Sequence, residues 1–106
     1  MTDEHLLRSI LRAIEDTAAI VVHGEQRFFG DPLLQRAAKN IVAEIGEAAS
    51  ALSDESRALT PSVPWRLIIG MRHKVVHDYA EVDLHVLWNT LIRDVPLLEE
   101  ALLDDE

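Results

Sequence analysis

The run Arg72-His73-Lys74-Val75-Val76-His77-Asp78-Tyr79 gathers an arginine, two histidines, a lysine and a tyrosine in one short stretch. A histidine exchanges its proton near neutral pH, so His77 suits a general acid or base. An arginine fork holds a phosphate through two hydrogen bonds and stabilises charge that develops on it. Those two groups are the minimum for cleaving RNA without a metal, because the ribose 2′-hydroxyl is already an internal nucleophile. The surroundings fit an anionic ligand. The chain carries a formal net charge of −9, yet no acidic residue lies between Arg57 and His77, a window that also holds Arg66, Arg72 and Lys74. A cationic site kept on an acidic body suits a phosphodiester.

Spacing limits what these residues do together. Five residues at 100° each place Arg72 and His77 about 140° apart on a regular helix, so they do not face one another. They converge only if the helix loosens after Val76, or if two copies of the chain meet. His73 and His77 are four apart, share a face and match half of a zinc site. Asp78, Asp83 and His85 would have to complete it, and the chain has no HExxH pattern and no cysteine.

Each residue also has a plainer reading. An Arg–His pair near a helix end serves as a cap or dipole partner. Tyr79 fits a core-packed ring with its hydroxyl in water. Arg66 and Lys74 either guide an RNA backbone or are solvated helix charge. Trp65 and Trp88 either stack bases or pack in a core or dimer face. Asn40, Glu44 and Glu47 share a broad helix face, from which they either orient the motif or simply meet solvent. His5, His23 and His85 read as surface residues.

The elements that position the motif follow from patterning. A chain of 106 residues reads as a single domain, 1–106, able to bury one core. The absence of cysteine excludes disulfides and thiolate metal sites. The N-terminus carries charges within its apolar run and no stretch approaches a membrane span, so a soluble, cytoplasmic protein is expected. The acidic balance argues against broad, sequence-independent nucleic-acid binding and leaves room for a small, salt-sensitive site. The acidic tail from Glu99 reads as a solvated face.

Apolar residues recur at helical spacing almost throughout. Helix one is predicted over about Asp3 to Val22, with Leu7, Ile10, Leu11, Ile14, Ala18 and Val21 on its inner face. A break spans His23 to Asp31, where Phe28 and Phe29 staple the loop to the bundle. Asp31-Pro32 signals the start of helix two, which runs to about Leu52. Its seam is Leu34, Ala38, Ile41, Ile45, Ala48 and Leu52. The connector to Pro64 holds a short helical turn near Asp54 to Ala58. Helix three follows over Trp65 to His77. Asp83 caps helix four, whose face is Leu84, Leu87, Leu91, Val95, Leu98 and Leu102, and Pro96 must kink or split it. Gly46 and Gly70 lie inside helices, where close helix–helix approach would compensate them. The class is all-α, an up-and-down bundle of four to five helices.

The block Ile69-Gly70-Met71-Arg72-His73-Lys74-Val75-Val76-His77-Asp78-Tyr79 resembles the Arg-x4-His-x-Tyr signature of HepT-like proteins in the HEPN superfamily. Asn40 to Ala49 is similar to that family's second-helix block, Val63-Pro64-Trp65-Arg66 to the lead into its motif helix, and Val82 to Trp88 to its last-helix entry. The likeness spans about Leu6 to Leu98. His73 stands where Asn or Asp is common in the family, and Asp78 where glycine is common.

The resemblance implies a HEPN-like bundle that pairs as a homodimer with both motifs lining one cleft. It implies the toxin of a HepT/MntA-type (type VII) toxin–antitoxin pair, a metal-independent endoribonuclease acting on RNA, with tRNA the expected class. Arg72 and His77 would be catalytic, with His73 and Lys74 supporting. Tyr79 would receive AMP from ATP through a cognate minimal nucleotidyltransferase. No cofactor and no metal are expected. The alternatives are a non-catalytic HEPN-type subunit that partners a nucleotidyltransferase or senses a nucleotide, and a metal-dependent hydrolase at His73 and His77.

Overall fold

The computed structural model describes residues 2–77 and 81–104, so Asp78 and Tyr79 lie outside the described residues. Helix α1 spans Asp3–Val21 and starts on Thr2, whose hydroxyl accepts the His5 amide at 3.2 Å. Its buried stripe is Leu6, Ile10, Ala13, Ile14, Thr17 and Ile20. The expected face is therefore rotated, because Leu11 and Ala18 are exposed. Both arcs of α1 are apolar enough to bury, and packing against the next long helix decides between them.

The expected break holds a short helix, α2, over Glu25–Gly30. Gly24 precedes it at φ 87°, a conformation that favours glycine. Phe28 is fully buried against Trp88, with ring centroids 5.0 Å apart, and Phe29 meets His85 at 4.6 Å. The pair fastens this segment to the C-terminal helices, as expected. Gln35 donates from its amide to the carbonyls of Phe28 and Phe29, closing the end of α2.

Helix α3, Pro32–Ala51, begins as read: the Asp31 carboxylate accepts the Leu33 and Leu34 amides and pairs with Arg27 at 3.1 Å. The Arg27 hydrogen bond holds the Asp31 carboxyl below the usual carboxylate range. Helix α3 is the centre of the bundle, packed on one side by α1 and on the other by α5. Helix α4 is the expected turn, Asp54–Ala58. Helix α5 covers Trp65–His77. Asp83 caps α6, Leu84–Asn89, through the His85 and Val86 amides. A π-helical turn, Thr90–Asp94, leads into α7, Val95–Asp104. The wider turn lets the chain pass Pro96 without a break, since proline lacks an amide hydrogen and its ring crowds the preceding α-helical turn.

The Ser53 hydroxyl and amide donate to Asp3 at 2.6 and 3.0 Å, tying the start of α1 to the N-cap of α4. These bonds hold the Asp3 carboxyl below its ordinary range. Ionised Asp3 therefore favours folding above that range, and the contribution is lost as pH falls through the lowered folded value. Asp3→Asn should flatten the loss of stability on acidification below about pH 4. Urea melts at paired acidic and neutral pH values check this; an unchanged acid dependence would contradict it.

Candidate active site

Helix α5 carries the motif, and Pro64 launches it by accepting the Leu67 and Ile68 amides on its carbonyl. Trp65 is buried, and its indole N–H donates to the Thr60 hydroxyl at 3.1 Å. Trp88 is buried against Phe28. Both tryptophans pack in the core, so neither offers a free face for base stacking. Helix α5 buries Trp65, Ile68 and Val75 on the side that meets α3.

Arg72 occupies that same inward side. It is half-buried, and its Cβ sits directly over Gly46 of α3. A Cβ on Gly46 would overlap the Arg72 Cβ and lie 3.1 Å from its Cα. Glycine at 46 thus permits the close approach expected from sequence and fixes the root of the Arg72 side chain. The Arg72 Nε is buried with no hydrogen-bond partner. Among the described residues Arg72 forms no ion pair, although the chain has 19 Asp and Glu. Asn40, Glu44 and Glu47 on α3 are exposed, and among the described residues none of them accepts a hydrogen bond from Arg72. An unpaired buried donor costs about 1–3 kcal/mol, which a bound anion would recover.

His77 lies on the outer side of α5 and is exposed, so the described chain does not bring it to Arg72. The helix remains regular through His77, and the separation of about 140° stands. His73 and His77 do share a face: their rings stack with centroids 5.3 Å apart and planes 12° from parallel. Among the described residues no third His, Cys, Asp or Glu joins them in a metal-sized group. Lys74 is exposed and turns instead toward a cavity of about 360 Å³ between α5 and α6, beside Glu81 and Asp83.

Two features of the charge window differ from the sequence reading. Arg57 serves the scaffold, pairing with Asp54 at 2.6 Å and reaching the Ala49 carbonyl at 3.5 Å near the end of α3. Gly70 is exposed, and a Cβ built there would meet nothing within 4 Å. Among the described residues no helix approaches it, so the compensation found at Gly46 is missing at Gly70, where glycine costs about 1 kcal/mol relative to alanine.

This all-helical fold with its Arg-x4-His helix defines a class. The family model described as Ribonuclease HepT-like matches residues 10–104. The chain belongs to the HepT-like ribonuclease family. It is 36% identical over 97 residues to a protein of Caldanaerobacter subterraneus subsp. tengcongensis that carries a provisional RNase name, covering 92% of this chain and 84% of that one. It is 38% identical over 72 residues to a provisionally named ribonuclease HepT of Thermococcus cleftensis, covering 68% and 66% of the two chains. A provisionally named RNase of Methanocaldococcus jannaschii is 29% identical over 73 residues, 69% of this chain and 67% of that one. No solved structure matches the chain at a significant level. Among the described residues no helix is long and apolar enough to cross a membrane.

Proposed function

We propose that the protein is an endoribonuclease toxin that cleaves RNA, tRNA in particular, without a metal. The observation that carries this reading is the half-buried Arg72, rooted on Gly46 with its Nε unpartnered, on the helix that also exposes His77. Arg72 holds the scissile phosphate and stabilises the phosphorane. His77 moves a proton between the 2′-hydroxyl, the phosphorane and the departing 5′-oxygen. The 2′-oxygen forms its bond to phosphorus as the bond to the 5′-oxygen breaks, leaving a 2′,3′-cyclic phosphate and a 5′-hydroxyl. His73, stacked on His77, holds that ring in place, and Lys74 supplies nearby positive charge.

Two copies of the chain complete the cleft, so that Arg72 of one works with His77 of its partner. An apolar groove of about 350 Å³ between α5 and α7 supports a second copy as its occupant. Leu67 and Leu97 rim it at 70% and 61% exposure, continuous with the motif helix. Leu67→Glu should therefore yield a monomer by light scattering and lower cleavage more than tenfold. A dimer that persists with full activity would place the interface elsewhere.

Inhibition in this reading comes from a nucleotidyltransferase that transfers AMP from ATP to the Tyr79 hydroxyl, releasing pyrophosphate. The added phosphate places negative charge two residues along the chain from His77, where it repels an RNA phosphate. Expression of the protein alone should arrest growth, and co-expression with the nucleotidyltransferase should restore it. Tyr79→Phe should arrest growth in both cases. Relief of the Phe variant would remove Tyr79 from that role, and no arrest by unmodified protein would favour the non-catalytic binding subunit.

A further inference from the structure

The outer pole of α5 has a composition that packing does not explain. Arg66, Gly70, His73 and His77 are all exposed and project within about 60° of one another on a regular helix. They lie opposite the side that carries Ile68 and Val75 into the core. A Cβ at Gly70 meets no described atom within 4 Å, so no described part of the chain makes use of the bare backbone there. Arg66 flanks this notch on one side and the stacked imidazoles flank it on the other.

We propose that this pole is the track for the phosphodiester backbone of the RNA, with Arg66 and Gly70 as binding residues. The inference rests on the ribonuclease reading and extends it. The strand runs along the helix for about 16 Å from Arg66 to His77. Gly70 lets the sugar–phosphate chain come down onto the helix backbone, where any side chain would hold it away. Arg66 pairs with a phosphate beyond the one being cut, and delivers the scissile linkage to His77. The charge on the pole favours a polyanion over a second protein chain. A copy of α5 crossing at Gly70 would bring Arg66 and the histidines near their own equivalents. The apolar residues a protein partner needs, Leu67 and Met71, lie on the neighbouring side and line the α5–α7 groove.

The test is binding of a 2′-O-methyl RNA oligonucleotide, which lacks the nucleophile, to the full chain across a salt series. Gly70→Ala should raise the melting temperature by about 4–8 °C yet weaken binding several-fold. Gly70→Leu should weaken it more than tenfold, and Arg66→Ala should weaken it five- to tenfold and lower the salt slope by about 0.7. Wild-type binding retained by both Gly70→Leu and Arg66→Ala would overturn the track and leave the ribonuclease reading standing. A Gly70→Leu chain that changes its oligomeric state while binding RNA normally would assign the notch to a second copy. A wild-type chain that binds no RNA would overturn the track and the ribonuclease reading together.

Discussion

Replacing His77 with alanine should lower RNA cleavage about 10²–10⁴-fold while leaving the melting temperature nearly unchanged. His77 is exposed at the end of α5, and its ring contact among the described residues is the stack on His73. Exposed substitutions away from the core shift stability by about 0.5 kcal/mol or less, so lost cleavage would report chemistry rather than unfolding. Arg72, the proposed anchor for phosphate, stays in place on the inward side of α5, so kcat should fall further than KM rises. Single-turnover cleavage over a range of RNA concentrations, beside a thermal melt, reads both activity and stability. A variant that cuts at the wild-type rate would move proton transfer to another group, with His73 first in line.

The second large effect is expected at a residue that touches no RNA. Gly46→Ala gains about 1 kcal/mol of helix propensity, which alone would stabilise the protein. The added methyl, however, would overlap the Cβ of Arg72 and crowd its Cα at 3.1 Å. That obstacle is the root of a side chain and the backbone beneath it, so it cannot swing aside as a flexible tip would. Helix α5 must move off α3, and overpacking of this kind costs about 1–3 kcal/mol. The net result should be destabilisation of up to about 2 kcal/mol, the difference between those two effects. Cleavage should fall about 10²-fold, because displacement of a positioning group by about 1 Å is enough to do so. Gly30→Ala is the control, since a Cβ there meets nothing within 4 Å. Urea melts and cleavage of the same preparations decide it. A Gly46→Ala chain more stable than the wild type and fully active would show that Arg72 is not held by this contact.

Local signals were the most legible. Asp31-Pro32, Pro64 and Asp83 start their helices where the sequence places them, because capping and proline geometry depend on adjacent residues alone. The choice between two apolar arcs of α1 was not local. Leu11 and Leu6 are equally hydrophobic, and only the position of α3 decides that Leu6 is buried. Helix α2 is too short to show a period, and Gln35, several residues later, closes its end. The two interior glycines looked alike in sequence and have opposite surroundings, since the neighbour of Gly46 is 26 residues away in the chain and Gly70 has none among the described residues. For the site, the four-residue spacing was enough to put His73 and His77 on one face. The unpartnered Nε of Arg72 depends on the α3–α5 packing and carried no sequence signal, whereas the Asp54–Arg57 pair lies at i,i+3 spacing on α4 and only its reach to the Ala49 carbonyl depends on how α4 meets α3. Tyr79 lies outside the described residues, so its role rests on the family resemblance.

The most direct test of the ribonuclease assignment is incubation of the purified, unmodified protein with total tRNA in EDTA, beside Arg72→Ala and His77→Ala chains of confirmed fold. Fragments ending in 2′,3′-cyclic phosphate from the wild type, and from neither variant, are the expected result. Intact tRNA with the wild type, or equal cutting by all three chains, would contradict it.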